Sequence, residues 1–183
     1  GANDGTILEP TWSAVSPLQL GDNLARAMDF NGSTDYFSAT GPGAMSAITL
    51  EAWVNPDAVA AEEDAIFSKG GSSGTLFHLS AGRLAFHTDA GATWPVSTAT
   101  VSANKWTHVA VSYTAGGTGQ FFINGVLDST FNAPIGTINS ATNIAIGSRD
   151  SGVAQDLFGG QISDLRVWNT IRTEHDIRYD MEG

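Results

Sequence analysis

The chain has 183 residues and a formal net charge of −11, with 19 acidic residues against eight basic ones, two of them lysine (Lys69 and Lys105). Such a surface repels the nucleic-acid backbone and anionic lipid, so neither is an expected partner. The absence of cysteine excludes disulfides and thiolate metal sites. No apolar run approaches the roughly 18 residues of a membrane span, so no membrane insertion is expected. With no signal peptide recognised, the chain reads as a mature domain or a piece of a larger multidomain protein.

Twenty-one glycines and few helical patterns predict many short strands joined by turns. Residues 5–12 (GTILEPTW) read as one edge-like strand, because Pro10 would remove a ladder hydrogen bond from a central one. Residues 13–23 read as a loop. Residues 24–30 alternate, and the Asn31–Asp35 turn leads into a strand at 36–39. Residues 48–56 form the clearest strand, with Ile48, Leu50, Ala52 and Val54 on one face. Residues 57–64 are an acidic, alanine-rich insertion with room for one helical turn, followed by a strand at 65–69 and a glycine-rich loop at 70–74. A four-residue hairpin loop at 80–83 sets Phe77 and Leu79 against Leu84 and Phe86. His78 and His87 then fall on the opposite face, near Arg83. Residues 89–95 are a long loop carrying Trp94.

Residues 105–128 organise the rest. Trp106, His108, Ala110 and Ser112 alternate with Thr107, Val109, Val111 and Tyr113. A glycine-rich break follows, then a strand at 120–123, and Asn124-Gly125 suits a type I′ hairpin turn. Residues 131–138 read as a loop and short strand, 143–147 as a strand, 148–157 as a polar loop and 158–168 as the closing strand. From Thr173 a short helix is expected, with Asp176 completing a capping box. The count is about twelve to fourteen strands in one domain spanning residues 1–183.

WTHVAVSY at 106–113 and FFINGVL at 121–127 resemble the core signature of laminin G-like, concanavalin A-type domains of the bacterial, pentraxin-related kind. The resemblance continues through AMDFNGSTDYF (27–37), ITLEAWVNP (48–56), GGQISDLRVWN (159–169), and the entry Asn3-Asp4-Gly5-Thr6 with Thr11-Trp12. It implies an all-β jelly-roll sandwich of two antiparallel sheets. The fold hosts lectins, adhesion modules, pentraxins, glucanases and lyases, so function must come from a site.

Glycosidase chemistry needs two carboxylates about 5–10 Å apart. The Glu-x-Asp-x-Glu or Glu-x-Asp-x-x-Glu run of the glucanases is absent, and Glu62-Glu63-Asp64 lies in the alanine-rich segment with the wrong spacing. Neither the lyase clusters nor a nucleophile elbow is found. No enzyme is expected. His78 and His87 could meet across their hairpin to hold a transition metal, touch a sugar, or be ordinary strand residues. His108 reads as structural and His175 as solvated.

Calcium wants six to eight oxygens, which turns supply readily. Asp29, Asn31 and Asp35, joined by Asp164, form one candidate set, of the structural kind that the resemblance implies; a plain Asx-rich hairpin is the other reading. Residues 149–156 resemble the pentraxin loop that supplies ligand-bridging calcium. Asp150 and Gln155 match in position and Asp156 adds a carboxylate. The pentraxin Asp-Asn pair, expected near 70–74, is replaced by Ser72-Ser73, and a solvated loop is the alternative. Trp12, Trp53, Trp106 and Trp168 read as core residues. Trp94, beside Asp89, reads as a binding platform or a lid.

The expected ligand-binding set is Trp94, Asp89, His78, His87 and Arg149. The function expected is a non-catalytic, extracellular bacterial recognition module for carbohydrate or another cell-surface ligand, stabilised by calcium. The alternatives are a structural or protein-interaction spacer of a large adhesin, and a glucanase or lyase.

Overall fold

Alternating apolar residues drive this chain into strands that bury one side. A computed structural model describes every residue except 1–5, 9, 14–15, 18, 21–22, 25, 60–62, 72–73, 89–93, 133–136 and 151–153, with 6–8, 19–20 and 23–24 described by backbone alone. In chain order the strands are β1 (Thr6–Leu8), β2 (Thr11–Ser13), β3 (Gln19–Leu20), β4 (Asn23–Leu24), β5 (Ala27–Asn31), β6 (Tyr36–Thr40), β7 (Ala47–Pro56) and β8 (Glu63–Lys69). There follow β9 (Thr75–Ser80), β10 (Arg83–His87), β11 (Val96–Thr100), β12 (Thr107–Thr114), β13 (Gly119–Ile123), β14 (Val126–Phe131), β15 (Asn143–Ile146), β16 (Gly159–Trp168) and helix α1 (Glu174–Met181).

Two antiparallel seven-stranded sheets face each other in a jelly-roll sandwich. The front sheet runs β1-β6-β15-β8-β9-β10-β11, the back sheet β14-β13-β12-β7-β16-β5-β2, and β3-β4 form a separate pair. Ile48, Leu50, Ala52 and Val54 of β7 are fully buried between the sheets, as their alternation requires. They meet Phe77, Leu79, Leu84 and Phe86 of the front sheet in one core that also holds Val109, Val111 and Phe121. Each such large side chain contributes about 1.5–3 kcal/mol on burial. Positive φ at Asn124 (51°) and Gly125 (73°) joins β13 to β14 directly. Ala81 (48°) and Gly82 (73°) do the same for β9 and β10, a tighter turn than the four-residue loop expected.

The structure differs from the expected strands where short segments change sheets. Residues 5–12 are not one strand. β1 pairs with β6 at the edge of the front sheet and β2 with β5 at the edge of the back sheet, with Pro10 between them. A proline that cannot donate to a ladder suits a crossing point. The expected loop 13–23 contains β3 and leads into β4. β8 begins at Glu63, inside the segment expected as an insertion, whose residues 60–62 lie outside the described ones. These short pieces raise the count among the described residues to sixteen strands.

Along one side of the sandwich the edge strands β11 and β14 approach each other. The Asp128 carboxylate on β14 accepts the amide N–H groups of Thr98 (2.6 Å) and Ala99 (2.8 Å) on β11, and the Ser129 hydroxyl (2.8 Å). Burial acts to raise its pKa, but those donors and Arg83 together hold it below the usual carboxylate range.

The outer face of the back sheet is covered by α1. Thr173 caps this helix in a reciprocal box with Asp176, and Ile177 packs on Ala110 and Phe122. Beneath it, the Trp168 indole donates to Glu51 (2.6 Å), while His108 lies 3.6 Å from the other Glu51 oxygen. Burial pushes the Glu51 carboxyl up to about 7 and the His108 imidazole down to about 3, so both are held toward their neutral forms. The tryptophans expected in the core lie elsewhere. Trp53 and Trp168 are half-buried on this outer face, Trp106 is half-buried just before β12, and Trp12 is 58% exposed on β2. An edge strand has no neighbour to cover such a ring.

Candidate functional site

The β9-β10 hairpin sends Phe77, Leu79, Leu84 and Phe86 inward, so His78 and His87 point from the outer face of the front sheet. Register places His78 opposite Ala85 and His87 opposite Leu76, which makes the two imidazoles diagonal neighbours. Their rings meet edge to face with centroids 5.9 Å apart. Trp94 folds back over them. Its indole lies parallel to His87 at 4.5 Å and edge-on to His78 at 5.9 Å. His78 is thereby fully buried and His87 5% exposed, whereas Trp94 keeps 43% of its surface open.

Arg149 arrives from the loop after β15, its guanidinium carbon 5.4 Å from the Trp94 ring centroid. The loop is held by the Arg149 amide donating to the Gln155 carbonyl and by the Ser148 hydroxyl donating to the carbonyls of Asp150 and Gln155. One guanidinium nitrogen lies 2.8 Å from Asp156 Oδ2 and the other 3.0 Å from Glu63 Oε2. The latter also lies 3.5 Å from His87 Nε2. A bulge in β8 sends both Ile66 and Phe67 into the core, while Ala65 and Glu63 pair with His78 and Ser80 and share their face.

Burial, reinforced by His87 and Arg149, pushes the His78 imidazole down to about 3. Burial also lowers His87, with the Thr88 carbonyl opposing it and Arg149 adding to it. Both rings are therefore neutral at pH 7. The His78 ring nitrogens, Thr88 Oγ1 and Arg149 Nε have no hydrogen-bond partner among the described residues. A half-open indole can stack on one face of a ring-shaped ligand, and the guanidinium beside it, paired with two carboxylates, offers polar groups near the ligand's rim.

Four of the five expected ligand-binding residues, Trp94, His78, His87 and Arg149, thus stand together; Asp89 lies outside the described residues. The histidines lie by Arg149, not by Arg83, which is exposed at the turn end of β10. Glu63, which the sequence offers only as part of an acidic run with the wrong spacing, joins this cluster. The signal was its place two residues before Ala65 in an alternating run, which the run of alanines obscured.

Asp29, Asn31, Asp35, Asp164 and Asp156, five of the residues expected to hold calcium, have side-chain partners within the protein. The Asp35 carboxylate accepts the Asn31 amide (3.0 Å), Asn31 Nδ2 (2.8 Å) and the Thr34 hydroxyl (3.0 Å). Asn31 Oδ1 in turn accepts the amides of Ser33 (2.8 Å) and Thr34 (2.9 Å), an Asx turn that satisfies itself. Asp29 accepts from Gln161 (3.4 Å). Asp164, at a bulge of β16 with φ of 50°, pairs with Arg166 (2.8 Å) and lines a 220 Å³ cleft with Trp12, Arg26, Met28 and Ile162. In the second set Asp156 is bound to Arg149, and the Asp150 carboxylate lies against Gly71, where a Cβ would come within 3.0 Å of Oδ2. Ser72 and Ser73 lie outside the described residues. Among the described residues no three His, Asp or Glu side chains converge to hold a metal ion. The donor set as described does not fit calcium, and Arg149 already supplies a cation between Glu63 and Asp156.

A laminin G-type model of the concanavalin A-like lectin/glucanases superfamily matches residues 30–178. The chain belongs to this superfamily. Several solved structures share its fold. A heptameric SAP-like pentraxin from Limulus polyphemus aligns with a TM-score of 0.67 and 19% identity, over 82% of this chain and 78% of that one. A candidate carbohydrate-binding protein from Bacteroides ovatus aligns at 0.69 and 24%, over 84% of this chain and 46% of its own, so this chain spans less than half of that one's length. Domain 4 of an extracellular GH43 arabinanase from Geobacillus stearothermophilus, solved with arabinotriose, aligns at 0.72 and 17%, over 97% and 87%. No curated protein matches the chain at a significant level.

Proposed function

We propose that residues 1–183 form one non-catalytic domain of a bacterial extracellular protein that binds carbohydrate through the outer face of its front sheet. The observation that carries this is Trp94, with its indole stacked on His87, 43% exposed and next to Arg149, which in turn pairs with Glu63 and Asp156. A rigid aromatic with polar groups at its rim suits a pyranose, whose C–H face packs on the ring while its hydroxyls reach the rim. Family membership supports the reading, as does the arabinotriose bound by the domain from Geobacillus stearothermophilus. Glu63 and Asp156 are both held by Arg149, and Glu51, the acid with a pKa near 7, is sealed beneath α1. These positions do not suit a glycosidase acid and base. No helix among the described residues is long and apolar enough to cross a membrane.

Glycan-array screening followed by calorimetry on the best ligand tests the proposal. Trp94→Ala should weaken binding at least about tenfold, the equivalent of 1.4 kcal/mol, while far-UV circular dichroism stays unchanged. Retained affinity would remove Trp94 from the site. A second reading, a spacer in which Trp94 merely roofs the histidines, is favoured by the complete burial of His78. It predicts no glycan binding and a clear loss of stability in the same variant.

A further inference from the structure

We infer that the Trp94 site selects uncharged glycans over acidic ones, and that Glu63 and Asp156 set this selectivity by occupying the guanidinium of Arg149. The inference rests on the carbohydrate reading given above.

Acidic sugars are commonly held by an arginine that offers its planar fork to a carboxylate or sulfate. Arg149 is the cation in contact with Trp94 among the described residues, and each of its terminal nitrogens already faces a carboxylate. One terminal nitrogen lies 2.8 Å from Asp156 and the other 3.0 Å from Glu63. Nε is buried without a partner among the described residues, and the guanidinium charge is already matched by two carboxylates. The neighbouring imidazoles add no positive charge, since burial keeps His78 and His87 neutral. One guanidinium against two carboxylates leaves the site net negative, on a chain of net charge −11. An arriving uronate must displace an internal carboxylate or approach against repulsion.

An uncharged pyranose meets neither obstacle. Carboxylates only accept hydrogen bonds, and hydroxyls can donate to them; a uronate replaces one of those donors with another acceptor. The same two acids that spoil the site for anions therefore fit it to neutral sugars.

Matched polymers test this: galactan against polygalacturonate, and mannan against polymannuronate, with binding read by affinity electrophoresis and calorimetry. The wild type should bind at least one neutral polymer about tenfold or more tightly than its acidic counterpart, and added salt should narrow the gap by screening. Glu63→Gln with Asp156→Asn should shrink the ratio to about threefold or less, by removing the two charges that compete with the uronate for Arg149. Glu174→Gln with Glu182→Gln removes the same formal charge on and beside α1, and should leave the ratio unchanged. Equal or tighter binding of the acidic polymers by the wild type would overturn the inference. So would a ratio that moves equally in both double variants, since net charge alone would then explain it. If the first pair does not fold, the salt dependence of the wild type decides: a gap that does not narrow with salt overturns the inference. Failure of the wild type to bind any polymer of either class would overturn the carbohydrate reading itself.

Discussion

The Trp94 indole and the His87 imidazole lie 4.5 Å apart and within 13° of parallel, joining β10 to a residue seven positions further along the chain. The contact fixes the plane that Trp94 presents to solvent. Aromatic pairs of this kind contribute about 0.5–1.5 kcal/mol beyond their buried area. His87→Ala should therefore lower glycan affinity about three- to tenfold by loosening the indole, while His87→Phe should restore most of it. Calorimetry on both variants checks this, and failure of the phenylalanine to rescue would mean that the imidazole nitrogens matter.

The buried histidines predict weakness in acid. The pKa values of His78 and His108 are pushed from 6.5 to about 3 on folding. Between those values the unfolded chain binds more protons than the folded one. Their contribution is full above pH 6.5 and is lost progressively as pH falls toward 3. Urea midpoints measured from pH 7.5 to 4 should fall, and His78→Gln should flatten part of that slope.

Glu51 acts in the opposite sense. Its pKa rises from 4.5 to about 7 on folding, so its contribution is complete below pH 4.5 and is lost as pH rises through 7. Glu51→Gln keeps an acceptor for Trp168 and removes the charge. It should stabilise the domain at pH 8.5 by about 1–3 kcal/mol and change little at pH 4. Denaturant titrations at the two pH values provide the comparison.

Asp128→Ala should cost about 1–2 kcal/mol by leaving the Thr98 and Ala99 amides without their acceptor. The depressed carboxyl means that the wild-type contribution is present above about pH 4 and is lost as pH falls through its lower folded value. Amide hydrogen exchange at residues 98 and 99 reports the change locally.

Calcium has a direct test. A ligand of the native state alone raises the unfolding midpoint by mass action. The self-contained Asn31–Asp35 turn and the Arg149–Asp156 pair predict a midpoint unchanged between millimolar calcium and chelator. A rise of several degrees, with about one metal per chain, would show that these carboxylates rearrange to hold the ion.

Much of the sandwich was legible because residues 48–54 and 107–113 keep strict alternation and Asn124-Gly125 permits one tight turn. What escaped was short or nonlocal. Pro10 marked a break, yet nothing near it said that the chain changes sheets there. Trp12 looked like core because its residue type favours burial, but an edge strand left it open. His78, His87, Trp94 and Arg149 could each be singled out by face or loop position. Their convergence depends on where the 87–94 and 146–149 connections land, which no local pattern encodes. Asn31 and Asp35 admit two readings for a chemical reason: the oxygens that bind a cation are also the ones that close a turn.

The Asp128 clasp also bears on how copies of this domain tolerate crowding. A bare outer strand offers a row of amides on which a neighbouring chain can template itself. Here two of those amides are already taken by a side chain of the same molecule. Many copies can then stand side by side at high local concentration with less tendency to zip together along that margin.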